Sequence, residues 1–148
     1  MVNFKDVPPE MLIKEVSLKL KGSIKEPAWV REVKTGQHKE RGPVDSDWYV
    51  IRVASVLRKV ALNSPIGIER LSSEYGGKVD RGSQRYHASK GSRKIVRSVI
   101  QELEGLGYIA KSAKGRSISP AGLKLLNSVA LEIATKLKES IPAIEKYM

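Results

Sequence analysis

The stretch from Trp48 to Leu62, WYVIRVASVLRKVAL, constrains the fold more than any other part of the chain. At helical spacing its apolar residues Tyr49, Val50, Ile51, Val53, Ala54, Val56, Leu57, Val60, Ala61 and Leu62 cover well over half of the circumference. Such a helix is stable in water only if other elements surround it. The expectation is therefore a mainly α domain built around one central amphipathic helix. Asp45, Ser46 and Asp47 offer caps at its start, and Asn63-Ser64-Pro65 breaks it. What remains polar is a narrow stripe of Trp48, Arg52, Ser55, Lys59 and Asn63, with Arg58 outside that line. On this reading Ile51 is core, and Ile51→Asp is expected to unfold the domain.

Shorter elements flank the central helix. Leu12, Ile13, Val16 and Leu20 predict a first helix after Pro8-Pro9, with Asp6 as a possible cap and Gly22 as the stop. A short helix from Pro27 to about Lys34 follows, with Trp29 in the core. Ile68 to Tyr75 reads as another, stopped by Gly76-Gly77. The spacing of Ile95, Val96, Val99, Ile100 and Leu103 predicts a strong helix from about Ser89 to Gly105. Gly107 to Ala110 and Ser117 to Ser119 flank KSAKGR and read as a β-hairpin whose tip carries Lys111, Lys114 and Arg116. Ser119-Pro120 then opens a last helix with Leu123, Leu126, Val129, Ala130, Ile133 and Leu137 inward, ending at Ile141-Pro142. Short helix, loop, amphipathic helix and basic hairpin follow in the order of a winged helix-turn-helix, over residues 66 to 138 of a single domain spanning 1–148. The usual short turn is replaced by a long loop from Gly76 to Lys90, which argues against ordinary major-groove docking.

Charge is the second constraint. The 148 residues hold 27 Lys and Arg against 16 Asp and Glu, a formal net charge of +11. The excess is concentrated in segments. The run KVDRGSQRYHASKGSRKIVR, residues 78–97, contains Lys78, Arg81, Arg85, Lys90, Arg93, Lys94 and Arg97, with Asp80 as its only acid. Tyr86 and His87 sit inside it. Such charges repel one another, and a polyanion that neutralises them releases its own condensed counterions, so nucleic acid is the expected partner. Arg93, Lys94 and Arg97 lie in the first turns of the predicted helix and Glu102 and Glu104 near its end. That order opposes the helix macrodipole but suits phosphate at a helix N-terminus. Lys34, Lys39 and Arg41 add a basic loop ahead of the central helix.

Other classes are excluded or disfavoured. Without cysteine the chain has neither disulfides nor thiolate metal sites, and a reducing, intracellular home is expected. No apolar stretch reaches membrane-spanning length, and the first residues do not read as a signal peptide. His38 and His87 each lie in a basic loop without a carboxylate dyad, and no phosphate loop, dinucleotide fingerprint or nucleophile elbow is present. We expect no enzymatic activity, cofactor, metal or small-molecule substrate.

Several blocks together carry a family resemblance: PAWVREVKTGQHKE, PVDSDWYVIRVASVLRKV, EYGG, HASKGSRKIVRSVIQELEGLGYI and GRSISPAG. In this order, from about Phe4 to Leu137, the chain resembles the archaeal and eukaryotic small-subunit ribosomal protein family S19e. The resemblance implies a structural constituent of the small-subunit head, bound to ribosomal RNA beside other small-subunit proteins. It further implies a cytoplasmic, ribosomal location and a part in maturation of the small-subunit RNA. Relatives commonly carry an aromatic residue where this chain has Ala88, and the end KESIPAIEKYM has no clear counterpart.

The expected RNA-contacting residues are Lys34, Lys39, Arg41, Trp48, Arg52, Lys59, Lys78, Arg81, Arg85, Tyr86, Lys90, Arg93, Lys94, Arg97, Lys111, Lys114 and Arg116. Phosphate contacts should dominate, because A-form grooves do not admit a recognition helix well. Trp48, Tyr86 and His87 are the candidate stacking groups, although Trp48 reads equally well as a lid on the core. The Gly76–Lys90 loop is expected to be mobile until RNA orders it. Two rival readings share the charge or the fold: a DNA-binding winged-helix regulator and a protein-interaction module.

Overall fold

The computed structural model, which describes residues 2–143, has five α-helices, the central one among them, and two β-hairpins. The elements are α1 (Pro9–Leu20), a 3-10 turn (Ala28–Arg31), α2 (Trp48–Asn63), α3 (Ile68–Glu74), β1 (Gly77–Val79), β2 (His87–Ser89), α4 (Arg93–Gly105), β3 (Ile109–Ser112), β4 (Gly115–Ile118) and α5 (Pro120–Ser140). As its circumference requires, α2 packs against α1, α4, α5 and β4. Val53, Val56, Leu57 and Val60 are fully buried in a core that draws on all five helices. Burying each such side chain contributes about 1.5–3 kcal/mol.

The edges of α2 differ from expectation. Ile51 is 38% exposed, so the unfolding expected of a charge there is corrected: α1, α4 and α5 leave that edge uncovered. Leu62 is likewise partly exposed. Asp47 occupies the N-cap position without a capping bond; its carboxylate accepts from Lys21 Nζ at 2.7 Å. Asp6 does not cap α1 either, because it accepts from the Asn3 N–H (2.8 Å) while Pro8 holds the cap position. The segment after Pro27 makes only one 3-10 turn, because the chain beyond it is drawn towards α4, where Ser92 N–H donates to Thr35 O (3.0 Å). In α5, Leu123 is partly exposed and Gly122 is buried in its place.

From Arg52 to Asn63 the polar stripe of α2 is partly covered by the chain itself. It is the seat of the end of α3. Tyr75 lays its ring under the Arg52 guanidinium (4.1 Å to the centroid) and the Lys59 ammonium (4.4 Å). Its hydroxyl shares a hydrogen bond with Ser55 Oγ (2.7 Å). Glu74 pairs with Lys59 at 2.9 Å and accepts from Asn63 at 3.2 Å. Burial pushes the Tyr75 phenol up and the Arg52 guanidinium down from their ordinary ranges.

After α2, Ile66 makes an isolated antiparallel bridge to Arg116 of β4, with N–H···O distances of 3.0 and 2.9 Å. The order α2, Ile66 bridge, α3, α4, β3, β4 is that of a winged helix-turn-helix, with β3–β4 as the wing. Gly115 makes the bridge possible: its φ is +142°, and an added Cβ would lie 2.8 Å from Ile66 O. The expected loop from Gly76 to Lys90 is instead an antiparallel ribbon, pairing Gly77 with Ser89, Lys78 with Ala88 and Val79 with His87. Ser89 belongs to that ribbon, so α4 starts at Arg93, with Ser92 Oγ capping Ile95 N–H. Residues 144–148 of the tail lie outside the described part.

Tyr49 yields a test of the core. Its hydroxyl is buried with no partner, and burial, then Glu102 and Glu26, push its pKa from 10.0 up to about 12. The native state holds this proton between pH 10 and about 12, where the unfolded chain releases it. Its contribution to stability is therefore complete below pH 10 and is lost as pH rises through that interval. In a phenolate-absorbance titration, the difference between the protein and Tyr49→Phe is expected near pH 12, not near pH 10.

Candidate nucleic-acid interface

The 34–41 loop meets two consecutive cationic segments distant from it in sequence, the β1–β2 ribbon and the start of α4. The 34–41 loop is tied to α4 by the Gly36–Gly91 bridge and the Ser92-to-Thr35 hydrogen bond. Ser89 Oγ donates to Gln37 Oε1 (3.3 Å), joining the loop to β2. Gly91 N–H donates to Ser72 O (2.8 Å), joining the same junction to α3. Between these segments lies an open cleft of about 860 Å³, whose basic lining is Lys34, Arg81, Lys90 and Arg93, with Gln37, His87 and Ser92 beside them.

Its electrostatics are one-sided. The first turn of α4 carries Arg93 and Lys94 and no acid. The first N–H groups of any helix lack intrahelical partners, so backbone and side chains here favour the same anionic ligand. Arg97 continues the exposed basic face one turn on, and Lys94 also lies over the Trp29 ring at 5.2 Å. The acid in the cleft is Glu69, paired with Lys90. The hydrogen bond from Lys90, followed by the charges of Lys90 and Arg93, holds its carboxyl below the usual carboxylate range.

The expected residues divide clearly. Lys34, Lys39, Arg41, Lys78, Arg81, Arg85, Lys90, Arg93, Lys94 and Arg97 are exposed on or beside the three converging segments. Tyr86 stands in the ribbon tip, 66% exposed, with Arg85 and His87 as neighbours. In that tip Asp80 accepts from Gly82 N–H (2.9 Å) and Arg81 donates to Gln84 (2.7 Å). Lys111 and Lys114 are exposed on the wing.

Four expectations change. Trp48 is only 9% exposed; its Nε1–H donates to Val30 O (3.1 Å) and its ring meets Tyr49 edge-on at 5.8 Å. The 3-10 turn closes over it, so stacking on a base is replaced by a role in the core. Arg52 and Lys59 are half-buried against Tyr75, and Arg116 donates through Nε to Glu104 (3.0 Å). These three cations have partners within the chain, and their first role is structural. Arg52 nevertheless also lines a second cleft with Lys39 and Arg41. The residues missed from sequence are those that pair with the cations, Glu69, Tyr75, Glu74 and Glu104, and the one that joins the segments, His38. The stripe of Arg52, Ser55 and Lys59 was a usable signal that some element packs on that side of α2, but no local pattern pointed to Tyr75 or to His38.

Among the described residues no cluster of His, Asp or Glu could hold a metal ion, and no helix is long and apolar enough to cross a membrane.

Comparison with known proteins adds an independent finding. The family described as ribosomal protein S19e matches residues 3–136. The chain is 53% identical to the small ribosomal subunit protein eS19 of Thermoplasma volcanium, over the whole of both chains. Identity to the small ribosomal subunit protein eS19 of Aeropyrum pernix is 44%, again over both entire chains. Against the small ribosomal subunit protein eS19B of Schizosaccharomyces pombe it is 39%, covering 89% of this chain and 94% of that one.

Proposed function

Because the chain belongs to the ribosomal protein S19e family, whose members are structural components of the small ribosomal subunit and not enzymes, we propose that it binds ribosomal RNA through the surface around the start of α4. The carrying observation is the union of the 34–41 loop, the β1–β2 ribbon and the first turns of α4 into one cationic face. Folded RNA settles there through its phosphates, and the wing lysines extend the contact. The wide, shallow groove of A-form RNA is read by shape and backbone, which suits a broad face better than an inserted helix. Tyr86 supplies a stacking platform for an unpaired base. The head of the small subunit, other small-subunit proteins as neighbours, and a part in maturation of the small-subunit RNA belong to the same reading. A ribosomal location follows from it.

The DNA-regulator reading draws support from the winged-helix order. Against it stands the ribbon, which occupies the place of the short turn between α3 and α4. Binding assays separate the two. Small-subunit rRNA should bind more tightly than a DNA duplex or heparin. If about six phosphates are neutralised, log affinity should fall with log salt at a slope of several units. Equal affinity for all three polyanions overturns the proposal, and preference for one DNA duplex sequence transfers it to the regulator reading. Sedimentation of tagged protein with both small subunits and precursor particles tests the maturation role; absence from precursors removes it.

A further inference from the structure

The imidazole of His38 lies where the converging segments touch. A methyl group added at Gly36 would stand 2.7 Å from its Cε1 and Nδ1, and one added at Gly77 would stand 2.7 Å from its Cδ2. The ring is thus in direct contact with two backbones, that of its own loop and that of β1. Gly36 in turn makes the bridge to Gly91, two residues before α4. His38 Nδ1 is buried without a hydrogen-bond partner, so the ring is held there by shape. Polar atoms are rarely left so, and the arrangement costs free energy that a surface histidine would avoid.

We propose that His38 is a positioning residue of the cationic face, a wedge that locks the 34–41 loop against β1 and so keeps Lys34, Lys39 and Arg41 aligned with the cations of the ribbon and α4. The inference rests on the RNA-binding reading for its consequence but not for the wedge itself. Without the ring, the loop keeps its charge and loses its fixed place, and its three cations no longer meet phosphates together with Arg81, Lys90 and Arg93. Chain ordering then opposes binding where preorganisation had favoured it.

The wedge is tested by amide exchange on the free protein. In His38→Ala, the Lys39 amide, bonded to Gly36 O, and the Ser92 amide, bonded to Thr35 O, should lose protection, while α2 amides keep theirs. Gly77→Ala leaves every core side chain in place and displaces the ring, so it should give the same result. The double variant should be no worse than either single one, because both act on one contact. With small-subunit rRNA, each variant should bind about 10- to 100-fold more weakly near 0.1 M salt, with a slope shallower by about two units. Unchanged protection, or additive effects of the two substitutions, overturns the wedge. Lost protection with unchanged affinity and slope overturns its role in binding. If the unaltered protein shows no preference for rRNA, the RNA reading fails, while the exchange experiment still decides the wedge.

Discussion

Leu57→Asp is expected to leave the chain without a cooperative unfolding transition. Leu57 is 0% exposed at the middle of the helix against which α1, α4, α5 and β4 pack. Truncating such a leucine to alanine removes about 2–5 kcal/mol through lost burial and the cavity left behind. Aspartate adds a charge with no partner at that depth, a further cost of several kcal/mol. Together these are comparable with the whole stability of a small domain, about 5–15 kcal/mol. Thermal melts followed by circular dichroism should show a broad, non-cooperative change for Leu57→Asp. Ile51→Asp, six residues earlier on an uncovered edge, should retain a sharp transition, because the carboxylate reaches water. If both variants melt alike, the assignment of the covered and uncovered edges of α2 is wrong.

Neutralising the start of α4 should have the largest effect on binding. In Arg93→Gln, Lys94→Gln and Arg97→Gln combined, three exposed cations leave the N-terminal end of α4, where the helix dipole also favours an anion. If each contacts a phosphate, the salt slope for rRNA should fall by about two to three units and affinity by roughly 100- to 1,000-fold near 0.1 M salt. Stability should move little. Removing positive charge from a helix N-terminus is favourable by about 0.3–1 kcal/mol per residue, and losing the Lys94–Trp29 contact is unfavourable by a similar amount. Anisotropy and melting measured on the same preparation separate these effects. A large fall in melting temperature, or an unchanged slope, refutes the assignment. Arg116→Gln serves as the contrast: its guanidinium is engaged by Glu104, so it should cost stability more than affinity.

Much of the architecture was legible because it rests on periodicity. The circumference of α2, the inward set of α4 from Ile95 to Leu103, and the extended runs around residues 111–116 each announce an element by spacing alone. The β1–β2 ribbon escaped because its strands are three residues long and neither buries a face, so no alternation was written into them. The Ile66 bridge is a single pair 50 residues apart in the chain, beyond any local pattern. Circumference shows that α2 is surrounded but not which edge stays bare, and Ile51 was misjudged for that reason. The candidate site was legible as composition and illegible as geometry. Exposed lysines and arginines declare a polyanion partner, whereas the structural use of Arg52, Lys59 and Arg116 depends on Tyr75, Glu74 and Glu104, which the fold brings to them.

The root of the wing has one more consequence. Arg116 is fastened twice, by its backbone to Ile66 and by its side chain to Glu104, and Ser119 Oγ anchors the far strand end by donating to Gly107 O at 2.6 Å. The hairpin is therefore a stiff arm mounted on the joint between α2 and α3. A load applied near Lys114 is carried as torque into that joint, where a floppy arm would absorb it by bending. Whatever grips the wing holds the whole body at a set angle.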